Sequence, residues 1–189
     1  MNGPAAGRAA QAYALLRQAE GDGTLPEVLA FYDHAPLADG PGPWVLSQWW
    51  AAPFTVAGVV YATAEHWMMA AKAGAFGDDE ALARVLGSPS PEVAKQAGRA
   101  VRGFDSAAWR EVAYDVVVEG SAHKFGAHED LRAYLLGTGD AVLVEASPVD
   151  RVWGVGLPAG DPAHRRPSAW RGEDLLGLAL MEVRDRLRG

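Results

Sequence analysis

The spacing of apolar and polar residues predicts seven helices and three short strands. A first helix covers Ala9 to Glu20 and is ended by Gly21-Asp22-Gly23. Ala35 to Pro43 is a Pro/Gly-rich connector, after which a core begins near Trp44. Trp44 to Trp50 and Thr55 to Tyr61 read as short strands, with Gly58 in a turn. Thr63 is placed to cap a helix that begins near Ala64 and is ended by Gly74 and Gly77. Asp78 caps the next helix, which runs through Leu86 and stops at Gly87. Ser90-Pro91-Glu92 combines a serine cap with proline at the first position, and that helix runs to about Val101. Further helices cover Ser106 to His123 and Glu129 to Leu136, the latter stopped by Gly137. Ala141 to Glu145 reads as a buried strand, and a last helix, Leu175 to Leu187, is apolar at Leu176, Leu180 and Val183. No strand-helix-strand alternation is sustained, so the pattern is that of a mostly helical α+β chain and not a doubly wound sheet. The expected division is an N-terminal extension, residues 1–43, and a core domain, residues 44–189.

The helix after Thr63 has an unusual composition for a core element. It carries Glu65, His66, Trp67, Met68, Met69 and Lys72 within eight residues. Seven steps of 100° return Lys72 to the face of Glu65, with Met69 between them. The two charges are about 10 Å apart along the axis, too far for an ion pair and suited to flanking a ligand. The plain use of a first-turn acid is to satisfy backbone amides.

Composition narrows the setting. A chain of 189 residues suits one domain with a sizeable core. Hydrophobic content of 49% with 22% charged residues marks a folded chain. With no cysteine there is neither a disulfide nor a thiolate metal site, which fits a reducing compartment. No basic segment followed by an apolar one stands at the N-terminus, so a cytoplasmic location is expected. The longest weakly polar stretch, Ala51 to Ala64, is too short to span a membrane and is broken by Pro53 and Gly58. A net charge of −7 argues against an extensive duplex-binding surface but allows a small basic pocket.

Of 17 basic residues only Lys72, Lys95 and Lys124 are lysines. An arginine-rich coding bias accounts for the count, and under such a bias the surviving lysines are enriched in those whose work arginine cannot do. Lys95, Arg99 and Arg102 fall at i, i+4 and i+7, a stripe suited either to a phosphate or to solvent. Gly98 beside Arg99 would admit a close approach.

Three familiar chemistries are excluded. Gly154-Val-Gly156-Leu-Pro-Ala159 has the letters of a dinucleotide fingerprint, but Pro158, Gly160 and Pro162 forbid the helix that must follow. The glycines there serve a close backbone approach, to a ligand or to the Trp153 ring. The five histidines, His34, His66, His123, His128 and His164, form no metal-binding pair. No G-x-S-x-G elbow is present. No cofactor is expected.

An ordered set of motifs runs through nearly the whole chain after residue 43. It includes Ser47-Gln48-Trp49-Trp50, Tyr61-Ala-Thr-Ala-Glu65-His66 and Met68-Met69-Ala-Ala-Lys72-Ala73. It continues with Lys95-Gln-Ala-Gly98-Arg99, Trp109, Lys124-Phe125, Glu145-Ala-Ser147-Pro148, Asp150-Arg151 and Trp153-Gly154-Val-Gly156. From Trp44 to Arg186 the chain resembles the NADAR, or YbiA-like, family. The resemblance implies a compact, helix-rich fold with a small sheet and N-glycosidase activity. It implies as substrates either phosphoribosylamine intermediates of riboflavin synthesis or ADP-ribosylated guanine in nucleic acid. The partner would then be a small nucleotide-sugar or an ADP-ribosylated nucleic acid.

By the same resemblance, Glu65, Trp109 and Asp150 occupy positions of activity-critical residues. Cleaving a C1′–N bond passes through an oxocarbenium-like state, which calls for a carboxylate, an acid for the leaving nitrogen and an aromatic platform. Glu65 is expected to stabilise C1′ or activate water, Asp150 to move a proton or hold the base, and Trp109 to stack. Lys72 and Lys124 are further candidates for phosphate contact, and either is a candidate amine nucleophile toward an opened sugar. Gln48, Trp49, Trp50, Lys95, Arg99, Lys124, Trp153 and Gly154 are expected to contact substrate. Asp174 stands where the family often has asparagine, either repelling a phosphate or capping the last helix. The alternative to an enzyme is a module that binds NAD or ADP-ribose without turnover.

Overall fold

A computed structural model of the chain describes residues 4–189; residues 1–3, part of the expected extension, lie outside the described residues. The longest helix, α5 (Ser106–Ala127), organises the rest. Asp105 starts it by accepting hydrogen bonds from the amides of Ala107 and Ala108, at 2.8 and 2.9 Å. Its buried residues, among them Tyr114, Val117, Val118, Ser121, Lys124 and Phe125, recur at helical spacing. Helices α1 (Pro4–Gly21), α2 (Ala64–Ala75), α6 (Glu129–Gly137) and α7 (Leu175–Arg188) pack on it. Helices α3 (Asp79–Leu86) and α4 (Pro91–Arg99) pack on α2 and on each other.

The expected caps form. The Thr63 hydroxyl accepts from the His66 amide, the Asp78 carboxylate from Ala81 and the Ser90 hydroxyl from Val93. Among the described residues the strands make two separate two-stranded sheets. β1 (Val28–Phe31) runs parallel to β4 (Val142–Glu145), with register from Val28↔Val142 to Phe31↔Glu145. β2 (Phe54–Val56) and β3 (Val59–Tyr61) are antiparallel. Thr55 to Tyr61 is therefore a hairpin, with Gly58 in its turn as expected. Ala57 and Gly58, both at positive φ (50° and 81°), make its two-residue turn.

The segment Trp44 to Trp50 departs from expectation. It is not a strand but a 3₁₀ turn, Pro43–Leu46, followed by irregular chain. The reason is how its carbonyls are satisfied. The Lys124 ammonium donates to the carbonyls of Val45 and Ser47, at 2.6 and 2.7 Å, so no neighbouring strand is needed. The segment expected as an extension contributes α1 and β1 to the packed body. Tyr13 on α1 stacks on Trp170 and donates to the Pro167 carbonyl. No described helix is long and apolar enough to cross a membrane.

Candidate active site

Four segments converge at the N-terminal end of α2. The Glu65 amide, in the first turn, donates to the Gln48 carbonyl at 3.0 Å and ties the Ser47–Trp49 segment across the helix start. Lys124 holds the same segment through its carbonyls. Helix α4 docks closely on α2 because Gly98 leaves room for the Met69 side chain. Gly98 thus serves helix packing, and not the approach of a ligand. The loop after β4 is shaped by Asp150. Its Oδ1 accepts from the amides of Val152 and Trp153, at 2.9 and 2.8 Å, and its own amide donates to Ser147 Oγ.

These segments enclose a cavity of about 440 Å³. Glu65 and Lys72 line it from α2, and Lys95 and Arg99 from α4. Gln48 and Trp49, Trp109, and Asp150 with Trp153 complete the group of expected residues that the fold brings together. Three expected contacts lie elsewhere. Lys124 has no exposed surface and serves as an internal hydrogen-bond donor. Trp50 packs against the main core and lies outside the cavity. Gly154 docks the loop onto β4: a Cβ there would stand 2.7 Å from the Glu145 carbonyl oxygen. Arg102 also leaves the expected stripe, because α4 ends at Arg99 and the Arg102 guanidinium pairs with Asp78 and Glu80. The histidines lie outside the cavity too; His66, for example, bonds to the Thr63 hydroxyl and the Ser88 carbonyl. Among the described residues no group of three or more His, Asp or Glu is arranged to hold a metal ion.

Among the described residues no ion pair joins the cavity acids Glu65, Glu145 and Asp150 to Lys72, Lys95 or Arg99. Glu65 is only 2% exposed, and its Oε1 is buried without a hydrogen-bond partner. Burial pushes its carboxyl up to about 7; Lys95, a hydrogen bond from Trp49 and Arg99 oppose the shift, and Asp150 adds to it. Lys72 is pulled below the usual lysine range by burial and by Arg99, with Glu65 opposing. Its ammonium sits 3.8 Å from the Phe104 ring centroid. The Lys95 ammonium stands 5.5 Å from the Trp49 ring centroid. Phe104 and Glu145 also line the cavity; Glu145 stands in a motif quoted from the sequence, but neither residue is given a site role there. Glu145 carried a readable signal: it is an acid closing an apolar, buried strand, Val142-Leu-Val-Glu145.

Comparison with known proteins decides the family. The NADAR domain model matches residues 31–188. The chain belongs to the NADAR family. It is 36% identical to N-glycosidase R617 of Acanthamoeba polyphaga mimivirus over 157 residues, 80% of this chain and 92% of that protein. It is 33% identical to N-glycosidase YbiA of Escherichia coli K12 over 141 residues, 75% of this chain and 79% of that one. The NMR structure of E. coli YbiA superposes with a TM-score of 0.69 at 29% identity, covering 86% of this chain and 85% of that chain. With these relatives the chain takes its place among hydrolases acting on N-glycosyl bonds.

Asp174 is a departure from the asparagine that NADAR resemblance implies at this position, and it does not face the cavity. It is fully buried at the N-cap position of α7, with φ 52° and ψ 37°, and its Oδ1 accepts from the Glu145 amide at 2.9 Å. The expected place at the start of the last helix holds, and the side chain ties that start to β4. Burial raises its carboxyl well above the usual range. The native state then holds a proton that the unfolded chain releases near 3.8, so stability falls as pH rises beyond that value. Asp174→Asn keeps an acceptor for the Glu145 amide and tolerates the left-handed backbone. The substitution is expected to raise Tm at pH 8 and to leave it nearly unchanged at pH 3. Thermal unfolding at the two pH values checks this; a variant less stable than wild type at pH 8 would contradict it.

Proposed function

We propose that this chain hydrolyses the C1′–N bond of a base linked to ADP-ribose or to phosphoribose. The observation that carries the reading is the single cavity where Glu65 and Asp150 meet the cations Lys95 and Arg99 and the indoles Trp49, Trp109 and Trp153. A ribosyl phosphate has this set of needs. Its phosphate calls for Lys95 and Arg99, its base for an indole face, and its developing positive charge at C1′ for a carboxylate.

In this reading Glu65 faces C1′ and, once ionised, orients or deprotonates the attacking water. Asp150 is a second carboxylate whose Oδ1 is already fixed by two amides, which keeps it placed for the base or for a proton. Trp109 stacks on the base. Lys72, held in its neutral form more readily than an exposed lysine, is the candidate amine for attack on an opened sugar. Reduction with borohydride during turnover traps such an adduct on Lys72 if it forms. Wild-type turnover without an adduct assigns the reaction to direct attack by water.

Arg99→Ala tests the phosphate contact. Arg99 is exposed at the cavity rim, so its loss should not affect folding. KM for a phosphate-bearing substrate is expected to rise about 10- to 100-fold, with kcat within about threefold. Steady-state hydrolysis read as kcat and KM separately checks this. An unchanged KM would place the phosphate elsewhere. A protein that binds ADP-ribose and cleaves neither substrate class would instead be a binding module.

A further inference from the structure

The cavity holds one carboxyl more than the reading above uses. Glu145 ends β4, and its side chain lines the cavity together with Glu65 and Asp150. Its main chain is clamped on both sides. The Glu145 amide donates to Asp174 Oδ1 at 2.9 Å, and its carbonyl accepts from the Val155 amide at 3.0 Å. The position of the carboxyl is thus built into the junction of β4, the following loop and α7.

The three cavity carboxyls differ in what surrounds their oxygens. Asp150 Oδ1 receives two amide hydrogen bonds, an arrangement that suits an anion. Glu65 also has one buried oxygen without a partner, Oε1, but its carboxyl accepts a hydrogen bond from Trp49 and stands in the first turn of α2, where the helix dipole favours negative charge. Glu145 has none of these supports. Its Oε2 is buried and no donor reaches it. A buried carboxyl oxygen without a donor is most stable carrying its own proton. Breaking an N-glycosyl bond requires such a proton, because the leaving nitrogen departs poorly as an anion.

We propose that Glu145 is the general acid of this site, holding the proton that is delivered to the departing base nitrogen. The inference rests on the reading of the cavity as an N-glycosidase site. As the C1′–N bond breaks, its electron pair goes to nitrogen and the Glu145 proton is transferred to that nitrogen. The oxygen of one water forms the new bond to C1′, and the proton that water loses goes to the Glu65 carboxylate. One water is consumed, and after product release the two carboxyls exchange one proton through solvent to restore the starting state.

The groups around Glu145 favour this assignment. Burial raises its carboxyl to about 8, Asp150 and Glu65 push it the same way, and Lys95 opposes. Asp174, which accepts from the Glu145 amide, is likewise raised well above the usual carboxylate range by burial. Strand β1, paired alongside, contributes no titratable residue between Val28 and Phe31. Lys72 and Arg99 share the cavity, and on α5 Arg110 is tied to Glu173.

The test uses the full chain and compares wild type, Glu145→Gln and Glu145→Asp by kcat against pH, with ADP-ribosylated guanosine and the phosphoribosylamine as substrates. Wild-type kcat is expected to fall above about pH 8. Glu145→Gln should lower kcat about 100- to 1,000-fold at pH 7 with KM within about threefold, and lose the alkaline decline. Glu145→Asp, which keeps an acid, should retain the decline at reduced kcat. A purely structural Glu145 would lower kcat at all pH values without changing the profile. The assignment is overturned if Glu145→Gln keeps wild-type kcat, or if the alkaline decline persists in it. Should Glu145→Gln not fold, loss of the decline in Glu145→Asp overturns it as well. If wild type cleaves neither substrate, the failure lies with the N-glycosidase reading, because Glu145 then has no reaction to serve.

Discussion

Glu65→Gln is expected to bind substrate nearly as wild type does and to turn it over roughly 100- to 10,000-fold more slowly. The amide preserves the size of the side chain and can still accept a hydrogen bond from Trp49, so recognition by Lys95, Arg99 and the indoles persists. What it cannot do is carry negative charge opposite C1′ or take a proton from water. The pH dependence follows from the same group. Its carboxyl is raised to about 7, so it is protonated and idle below that value, and wild-type activity should climb as pH rises through it. The stability effect has the opposite sense. Between the unperturbed value of 4.5 and about 7 the native state binds more protons than the unfolded chain, so ionising Glu65 costs stability as pH rises. Glu65→Gln should therefore be at least as stable as wild type at pH 8. Binding by calorimetry, turnover by product release and Tm on the same preparations separate these effects. Wild-type turnover in the variant would remove Glu65 from the mechanism.

Lys124→Met carries the largest expected change in stability. The ammonium is wholly buried and reaches two carbonyls, of Val45 and Ser47; methionine offers no donor to either, and only that of Ser47 keeps another, the Trp50 amide at 3.3 Å. Burial pulls the amine down to about 7, and the two short hydrogen bonds favour its charged form. Leaving the buried Val45 carbonyl unpaired, and the Ser47 carbonyl with the Trp50 amide alone, costs about 1–3 kcal/mol. The damage should extend to the site, because the same segment presents Gln48 and Trp49 to the cavity. Urea unfolding with an unchanged slope measures the first effect and residual turnover the second. A loss under about 1 kcal/mol would show that the carbonyls find other partners.

The sequence was most legible where structure is decided within a few residues. The caps at Thr63, Asp78 and Ser90 each bind an amide three residues on, so helix starts could be read directly. Legibility failed where partners are remote. Lys124 looked like a phosphate contact because its acceptors lie 79 and 77 residues away in sequence. Strand β1 exists through its pairing with β4 more than a hundred positions later, and four apolar residues between turns carry no strong local signal. The same holds in the cavity. Glu65, Lys72, Lys95, Arg99, Trp109 and Asp150 were marked by motif, yet their convergence depends on the docking of α4 on α2 and on the Asp150 turn. Arg102 was assigned to the stripe by arithmetic that assumed a longer helix; two residues of helix lost sent it to Asp78.

The most direct measurement is product analysis after wild type and Glu65→Gln are incubated with ADP-ribosylated guanosine and, separately, with the diaminopyrimidine ribosylamine phosphate. The account predicts that wild type releases intact ADP-ribose with free guanosine, or ribose 5-phosphate with the free pyrimidine, and that Glu65→Gln releases neither at a comparable rate. Substrates that remain whole with wild type, or that are cut at the diphosphate while the C1′–N bond survives, would contradict it.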